Sequence, residues 1–461
     1  RAVGAGRGRG RDEGRACVRC GLSSNYPAVR FDSGGVCNVC LAFEAVRPRA
    51  QAYFRGMEDL RGLFAQSRSA HAPRYDCMML LSGGKDSTYA LCQLVEMGLS
   101  VYAFTFDNGF ISEDAKANMR RVTGHLGVPL EFGTTPFMNA IFRDSLTRFS
   151  NVCHGCFKTI YTLGTNRAHT LGIPVIVTGL SRGQMFETRL TEEMFLDDRY
   201  NPDDVDAAVK AARRVYHRVD DEVARTLDVT IFQNDRVFED IQFVDFYRYC
   251  DVGLDDMLSY LERTVPWVRP ADTGRSTNCL INDVGIYIHR KERGYHNYAL
   301  PYSWDVRLGH KTRAAALDEL NDELDMDRVR RTLAAVGYDE NRLSDSGDQS
   351  LLTACYVSSA GVDEAHLRRH LSARLPAALV PAFFIRLDDI PLTPHGKVDE
   401  AALSRVEAPR TPQTQVPPEG PVEAFLVATW QDVLHLDRIG AVDNFFQLGG
   451  TSLKALEVML R

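Results

Sequence analysis

The sequence lacks the features that mark membrane proteins, secreted proteins and nucleic-acid-binding proteins. It has no run of roughly 18 or more apolar residues, so no membrane-spanning helix is predicted. Residues 1–15 are rich in glycine and arginine and have no apolar core, so they do not form a signal peptide. The net charge is −7, so no overall positive field favours nucleic acid as a partner. We therefore expect a cytoplasmic protein.

An initiating methionine is also lacking, and the sequence is still in a helical pattern when it reaches Arg461. We therefore expect these 461 residues to be part of a longer polypeptide. Apolar residues make up 44% of the chain and charged residues 25%, as in ordinary globular proteins. A chain of this length accommodates about two to four domains.

Cysteine is the residue type that first indicates chemistry. Without a secretion signal, the eleven cysteines do not indicate disulfide bonds. Two C-x-x-C pairs lie 16 residues apart, and the segment between them holds turn residues and little core. Two such pairs complete a tetrahedral thiolate site, whose metal supplies the folding energy. The sequence therefore predicts a zinc ribbon at residues 17–45 in which Zn²⁺ is bound by Cys17, Cys20, Cys37 and Cys40.

A glycine-rich turn follows the ribbon and organises the rest of the chain. The apolar residues 78–81 predict a buried strand, and residues 87–97 have helical spacing. A glycine turn between a strand and a helix N-terminus cradles anions, because its backbone N–H groups and the helix dipole face the ligand. The turn consists of Ser82, Gly83, Gly84, Lys85, Asp86 and Ser87.

This hexapeptide resembles the pyrophosphate loop of the PP-loop ATP pyrophosphatases rather than a Walker motif, whose spacing differs. The resemblance implies that ATP and Mg²⁺ bind here and that an oxygen of the substrate is adenylated. It implies nucleotide binding by Ser82, Gly83, Gly84 and Ser87, and catalytic roles for Lys85 and Asp86.

Further strands alternate with helices along residues 46–345. Strands are predicted at residues 99–107, 129–134 and 174–179. This alternation predicts an α/β fold with a doubly wound, Rossmann-like parallel sheet. Ligands bind at the carboxyl ends of such strands, so we expect Asp107 and Asn108 to meet the nucleotide or the substrate, and Gly179 to contact the nucleotide. Relatives often carry an acidic motif after the last strand, and this chain instead has Arg182, Gln184 and Glu187 there.

A third C-x-x-C pair, Cys153 and Cys156, lies between the last two predicted strands. It has three interpretations: structural thiols, half of a second zinc site, or a sulfur-transfer site. PP-loop enzymes that thiolate tRNA are similar, since they place such a pair here with a distant third cysteine. That similarity implies a 4Fe–4S cluster or a persulfide. Cys279 is the preferred third cysteine, because it lies in a polar, turn-rich segment, and Cys250 is the other candidate.

The stretch from Cys17 to about Tyr338 also resembles the N-acetyl sugar amidotransferases, which are PP-loop proteins that install nitrogen. This second resemblance implies nitrogen transfer instead of sulfur transfer. Because no glutaminase signature is visible, a partner protein would have to supply the ammonia.

The composition changes at about Leu351. Residues 346–405 resemble the last subdomain of nonribosomal-peptide adenylation domains, with Lys397 in place of the lysine that contacts the acyl phosphate in that family. The large adenylation subdomain is absent. Lys397 therefore acts with a large subdomain elsewhere in a longer chain, or the subdomain only docks.

A proline-rich linker, residues 406–420, leads to residues 421–461, which include a predicted helix at 422–434. Residues 443–453 resemble the attachment motif of peptidyl carrier domains. The resemblance implies that Ser452 carries 4′-phosphopantetheine, attached by a phosphopantetheinyl transferase. The carrier domain is truncated after its second helix begins.

Together these features predict an enzyme of an assembly line for nonribosomal peptides. ATP would activate a carbonyl or carboxyl oxygen of a carrier-bound acyl or peptidyl group, and Cys153, Cys156 and Cys279 would deliver sulfur to give a thioamide or thioacid. The expected partners are other synthetase modules and a sulfur or ammonia donor protein. Nitrogen transfer and a non-enzymatic carrier and scaffold are the alternatives.

Overall fold

A parallel sheet of five strands forms the centre of the structure, which is a computed structural model. The strand order is β3-β2-β1-β4-β5, and every neighbouring pair is parallel. The strands are β1 Cys77–Leu80, β2 Val101–Phe106, β3 Leu130–Gly133, β4 Val175–Thr178 and β5 Gln242–Asp245. This sheet confirms the predicted α/β class, and β5 is a strand that the sequence did not predict.

The structure describes residues 15–27, 29–190, 193–196, 201–269, 278–321, 323–340, 353–358, 383–391, 417–434 and 439–441, with residues 367, 371, 381 and 403. The chain divides into two compact units, Arg1–Arg342 and Leu343–Arg461.

Helices surround the sheet in the first unit. Two short 3-10 helices, Thr230–Gln233 and Phe246–Arg248, precede and follow β5. The α-helices of this unit are α1 Asn38–Tyr53, α2 Met57–His71, α3 Lys85–Glu96, α4 Glu113–Leu126, α5 Met138–Phe149, α6 Cys153–Leu171, α7 Arg182–Thr188, α8 Glu193–Leu196, α9 Pro202–Arg218, α10 Glu222–Thr226, α11 Val237–Asp240, α12 Leu254–Thr264, α13 Asn282–Arg293, α14 Ala299–Arg307, α15 Arg313–Leu320 and α16 Met326–Val336.

Both faces of the sheet are buried, which explains why its central strands are continuous apolar runs. Along β1, Met79 packs in the same core cluster as Leu91 of α3, whereas Met78 packs with Tyr161 of α6. Side chains of a strand alternate between faces, so these two clusters cover opposite sides. The strand order changes direction at β1, between β2 and β4, where parallel α/β sheets open a crevice for ligands.

One predicted helix is in fact two. The sequence of residues 50–67 predicts a single helical linker, but α1 ends at Tyr53 and α2 begins at Met57. Gly56 is the N-cap of α2, and its N–H donates to the Asp59 carboxylate (3.0 Å). The start of a helix leaves backbone N–H groups without partners inside the helix. The bond from Gly56 to Asp59 satisfies one such group, so a new helix begins here.

The second unit contains a pair of parallel strands, β6 Thr353–Tyr356 and β7 Phe383–Arg386, and a helix, α17 Gly420–Leu434. The sequence predicts a strand at residues 351–357, and a strand is found at Thr353–Tyr356. The helix predicted at 422–434 is also found. Lys397, Ser452 and most of a helix predicted at residues 362–375 lie outside the described residues.

Candidate functional site

The turn between β1 and α3 has the geometry of an anion cradle. Gly83 has φ +80°, and a Cβ atom there would lie 2.7 Å from the carbonyl oxygen of Ala115. The Ser82 N–H donates to Ser87 Oγ (3.1 Å), and the two hydroxyls lie 2.9 Å apart. Gly84 is the N-cap of α3 and has no side chain to occupy the free N–H groups of the first turn. Those N–H groups are therefore available to a phosphate.

Two hydrogen bonds from aromatic residues far along the chain hold the turn in place. Trp267 Nε1 donates to the Gly83 carbonyl (3.0 Å), and the Tyr247 hydroxyl donates to the Asp86 carbonyl (2.9 Å). Lys85 Nζ lies 2.6 Å from the Asp86 carboxylate. Burial works to lower the pKa of Lys85, but Asp86 and Asp305 outweigh it and raise that pKa. The cradle therefore keeps a fixed cation.

The carboxyl end of β2 contributes Asp107 and Asn108. Asp107 pairs with Lys116 (2.8 Å) and accepts from the Gly109 N–H (3.0 Å). Asn108 is buried, and its carbonyl oxygen accepts from the Phe110 N–H (2.9 Å), which fixes the direction of the amide. Its NH₂ group therefore faces two sulfur atoms, those of Cys156 (3.5 Å) and Cys279 (3.2 Å).

Backbone pairing explains how Cys279 reaches the C-x-x-C pair from far along the chain. Residues 278–280 run antiparallel to residues 110–112, with Ser112 N–H donating to Asn278 O (2.9 Å) and Leu280 N–H to Phe110 O (2.8 Å). The C-x-x-C pair begins α6, where Asn151 accepts from the Cys153 N–H (2.9 Å). The structure thus gathers the three cysteines of the sulfur hypothesis, whereas Cys250 is buried in the main core.

Without a bound metal, the thiols of Cys153, Cys156 and Cys279 are protonated at neutral pH. Burial raises the pKa of Cys156 to about 12, and it also raises the pKa values of Cys153 and Cys279. Only one group of three or more ligand residues among those described has ligand atoms all within 4.8 Å of one another, and it is the Cys17 group. The second zinc site considered for Cys153 and Cys156 is therefore not preformed in this part of the chain.

The three-thiol site and the phosphate loop meet at Asn278. A Cβ atom on Gly84 would lie 2.5 Å from Asn278 Nδ2, so the residue before Cys279 touches the loop. The two sites therefore open on the same crevice. No local pattern in the sequence marks this contact, because it depends on a long-range backbone pairing.

The carboxyl end of β4 closes the other side of the loop. A Cβ atom on Gly179 would lie 2.9 Å from Ser87 Cα, so Gly179 permits close packing of the turn against α3. After it, Ser181 is the N-cap of α7 and Gln184 completes the capping box. Arg182 donates to the Tyr247 carbonyl (2.9 Å) and pairs with Asp251 (3.2 Å).

An acidic residue does occupy this turn, but it comes from α14. Asp305 accepts from the Gly183 N–H (2.8 Å) and from the Ser181 hydroxyl (3.3 Å). Burial raises the pKa of Asp305 to about 6. Glu187 of α7 is exposed, and desolvation of its carboxyl group together with the Asp305 charge raises its pKa to about 7. Two carboxyl groups with raised pKa values therefore lie beside the crevice, as is common at functional sites.

The four cysteines of the N-terminal ribbon form a metal-binding site. All four are buried, and their sulfur atoms all lie within 4.8 Å of one another. Arg307 of α14 donates to the sulfur atoms of Cys40 (3.3 Å) and Cys20 (3.3 Å). Four thiolates fit tetrahedral Zn²⁺, and the guanidinium offsets the negative charge that such a site retains.

Comparisons with known proteins agree with this division of the chain. The model of the family described as queuosine biosynthesis protein QueC matches residues 76–159, which include the phosphate loop and the C-x-x-C pair. The first unit therefore contains a PP-loop domain of the QueC kind, and an ATP-using enzyme is the activity class that this supports.

Other similarities are to peptide synthetases. Tyrocidine synthase 2 and tyrocidine synthase 3 of Brevibacillus parabrevis are 47% and 44% identical to the chain over 125 and 128 residues. These matches cover 27% and 28% of this chain and 3% and 2% of the two synthases. Gramicidin S synthase 2 of Brevibacillus brevis is 44% identical over 117 residues, 24% of this chain and 2% of that one. The chain thus has homology to adenylation-domain regions of nonribosomal peptide synthetases and spans a small part of those proteins.

Two solved structures are also similar. A four-domain nonribosomal peptide synthetase bound to AMP and glycine is 36% identical, with 23% of this chain and 8% of that one covered and a TM-score of 0.16. A predicted subunit of tRNA methyltransferase from Methanocaldococcus jannaschii is 15% identical, with 49% and 90% covered and a TM-score of 0.26. TM-scores this low add nothing to the fold assignment. No helix in the described part of the chain is long and apolar enough to cross a membrane.

Proposed function

We propose that the first unit uses ATP to adenylate a carbonyl or carboxyl oxygen of an acyl or peptidyl substrate and then replaces that oxygen with sulfur. The observation that carries this proposal is the contact between Asn278 and Gly84, which places the third thiol beside the phosphate loop. A nucleophile must reach the carbon of the adenylate while AMP is still bound in the crevice.

The loop residues would bind the pyrophosphate end of ATP. The free N–H groups at the start of α3 and the Lys85 ammonium face that position. Mg²⁺ prefers carboxylate oxygens and phosphates. We assign it to Asp86 and Asp305, whose carboxyl groups are close enough that the Asp86 charge adds to burial in raising the Asp305 pKa. When bound, Mg²⁺ neutralises charge on the leaving pyrophosphate.

The chemistry balances with two of the three thiols, Cys153 and Cys156, and with two partners, a sulfur donor protein and a dithiol reductant. The substrate oxygen attacks the α-phosphorus of ATP, and pyrophosphate leaves. A persulfide on Cys153, loaded by the sulfur donor protein, attacks the activated carbon and expels AMP together with the substrate oxygen. The Cys156 thiol then attacks the Cys153 sulfur and gives up its proton to the leaving sulfur atom, which releases the thioamide or thioacid and leaves a Cys153–Cys156 disulfide. The dithiol reductant restores both thiols.

The same three thiols also suit a 4Fe–4S cluster with one open iron. The Asn108 amide lies against the sulfur atoms of Cys156 and Cys279, and the three sulfur atoms do not converge on one point. A four-iron cluster spreads its cysteine ligands over separate corners, so it does not need the tight spacing of a single tetrahedral ion. When bound, such a cluster would supply a sulfide for transfer.

The second unit would present the substrate. We assign residues 346–405 to an adenylation-type subdomain and residues 421–461 to a carrier domain, supported by the 44–47% identity to peptide synthetases. Ser452 would be modified with 4′-phosphopantetheine by a phosphopantetheinyl transferase, and other synthetase modules would load the acyl group. A tethered arm delivers substrate at high effective concentration without strong docking.

Two assays test the proposal. Incubation of the chain with coenzyme A and a phosphopantetheinyl transferase should add one phosphopantetheine to the wild type and to Thr451→Ala, but none to Ser452→Ala. Carrier-bound acyl substrates are then incubated with ATP, a persulfide-loaded sulfur donor protein and a dithiol reductant, and the expected products are AMP, pyrophosphate and an acyl group in which sulfur replaces oxygen. The Lys85→Ala variant should form none of them.

Nitrogen transfer is the second candidate. It needs no thiolate nucleophile, and burial raises the pKa values of Cys153, Cys156 and Cys279. In that case ammonia, and not the sulfur donor protein, would support AMP formation, and the Cys153→Ala variant would keep most of its activity.

A further inference from the structure

A cluster of arginine and aromatic side chains lies between α6, α7, α9 and β5. Arg189 pairs with Asp245 at the end of β5 and donates to the Tyr161 hydroxyl (2.5 Å). The guanidinium of Arg213 lies 3.7 Å from the ring centre of Phe243 and 5.5 Å from that of Tyr161. Two guanidinium groups therefore share one carboxylate.

Arg213 is the arginine of this cluster whose charge is not paired directly with a carboxylate. In the part of the chain that the structure describes, it contacts aromatic rings and forms neither an ion pair nor a hydrogen bond. It is partly buried, and burial together with the nearby Arg189 lowers its pKa to about 10. Two desolvated guanidinium groups that share the one Asp245 carboxylate keep a net positive charge, which costs free energy, and a bound anion would recover that cost.

The next residue shows what an ordinary structural arginine does on the same helix. Arg214 points the other way on α9 and pairs with Glu239 (2.6 Å) and Asp235 (3.7 Å). Lys210, one turn earlier, also pairs with Glu239 (2.6 Å). The lack of an ion pair at Arg213 is therefore not a general property of α9.

The cluster lies on the helix that carries the reactive thiols. Cys153 begins α6, and Tyr161 lies eight residues later, about 12 Å along the helix axis. Tyr216, between the two, approaches the His154 carbonyl with its hydroxyl (3.5 Å). Along α6, the thiols and the cluster are therefore separated by about the length of a small organic molecule.

We propose that Arg213, with Tyr161 and Phe243, binds an anionic group of the substrate, a carboxylate or a phosphate attached to a planar or extended body, whose other end is activated at the three thiols. The inference rests on the proposed function for the position of the reacting end. An anion there pairs with the planar guanidinium, and the aromatic rings cover the group next to it.

The test measures binding of small probes to the full chain, with its metals and without ATP. Benzoate, its neutral analogue benzamide and inorganic phosphate are titrated into wild type, Arg213→Met and Arg214→Met by calorimetry. We expect wild type to bind benzoate or phosphate at least tenfold more tightly than benzamide. That preference should vanish in Arg213→Met and persist in Arg214→Met.

Each result of these titrations either supports or overturns the proposed anion site. Tighter binding of benzoate supports a carboxylate substrate, and tighter binding of phosphate supports a phosphate such as that of a phosphopantetheine arm. No charge preference in wild type, or an equal preference in Arg213→Met, overturns the proposal. Arg213→Lys keeps the charge but loses the planar fork, so a reduced but measurable preference is expected if Arg213→Met does not fold. These titrations measure binding and no turnover. If the chain binds anions through Arg213 but transfers no sulfur, only the proposed function is refuted, and the anion site stands.

Discussion

At the scale of single residues, the phosphate loop depends on positions where a side chain is not tolerated. Gly83 has a left-handed backbone conformation, and its missing Cβ makes room for the Ala115 carbonyl. Gly98 has a similar backbone, with φ +73°, but has open space around it. A substitution at either glycine carries the cost of a left-handed backbone, but only a substitution at Gly83 also disturbs the loop.

The Gly83→Ala variant should lose ATP-dependent pyrophosphate release by at least about tenfold, because the loop must move away from Ala115. Gly98→Ala, the matched control, should lose about 1–2 kcal/mol of unfolding free energy for its backbone conformation and keep its activity. The measurements are pyrophosphate release and urea denaturation. Full activity in Gly83→Ala would contradict the assigned loop.

Asp305 should make stability depend on pH. Its pKa in the folded protein is raised to about 6 from an ordinary value of 3.8. A carboxyl group with a raised pKa contributes stability that is fully present below about pH 4 and is lost as the pH rises through about 6. Asp305→Asn imitates the protonated form at every pH and keeps an oxygen to accept the Gly183 N–H.

The unfolding free energy of Asp305→Asn relative to wild type should therefore rise between pH 4 and pH 7, by at most about 3 kcal/mol. Denaturation in urea at several pH values checks this. Asp255→Asn, at an exposed position on α12, should leave the pH dependence of wild type unchanged. A constant difference between Asp305→Asn and wild type would show that the Asp305 pKa is not raised.

At the scale of elements, α14 joins the metal site to the crevice. Arg307 at its end contacts the cysteine sulfur atoms, and Asp305 binds the start of α7. Trp304, the residue before Asp305, stacks its ring on Phe186 of α7, with ring centres 4.1 Å apart. It also meets Phe43 of α1 edge-on, with ring centres 5.3 Å apart. The metal site therefore supports the crevice through one short helix.

Removal of the metal should loosen this connection. In Cys17→Ser/Cys20→Ser, or after chelation, we expect loss of the bound zinc, a lower melting temperature and faster amide exchange in residues 181–185 and 299–307, because α14 loses its anchor. Cys355→Ser, in the second unit, should keep the zinc and the exchange pattern. Zinc loss with unchanged exchange in residues 181–185 would show that the ribbon is independent of the crevice.

The elements also show what the sequence could reveal. The β1–loop–α3 unit is local, so its apolar run, glycines and helical spacing predict it directly. Strand β5 has only four residues, of which one is buried, so no apolar run marks it. Asp305 could not be predicted as the acid beside the loop, because only tertiary packing brings α14 to α7. The polar segment around Cys279 favours that cysteine, but its position beside Cys156 follows from long-range pairing with residues 110–112.

At the scale of the whole molecule, the chain combines two compact units and has similarities to two kinds of protein. The first contains a QueC-like PP-loop domain and a four-cysteine metal site, and the chain also has homology to peptide synthetases. This combination favours a substrate that stays attached to a carrier while its carbonyl group is modified. A free small molecule would not need the second unit.

The most direct test of sulfur transfer is anaerobic purification of the full chain, followed by analysis of zinc, iron, acid-labile sulfide and persulfide. Wild type and the control Cys355→Ala should contain about one zinc, together with either iron and sulfide or a persulfide. In Cys153→Ala/Cys156→Ala, the iron, sulfide or persulfide should be lost while the zinc remains. Zinc alone in wild type, with no persulfide on any thiol after incubation with a sulfur donor, would contradict sulfur transfer and leave nitrogen transfer as the better account.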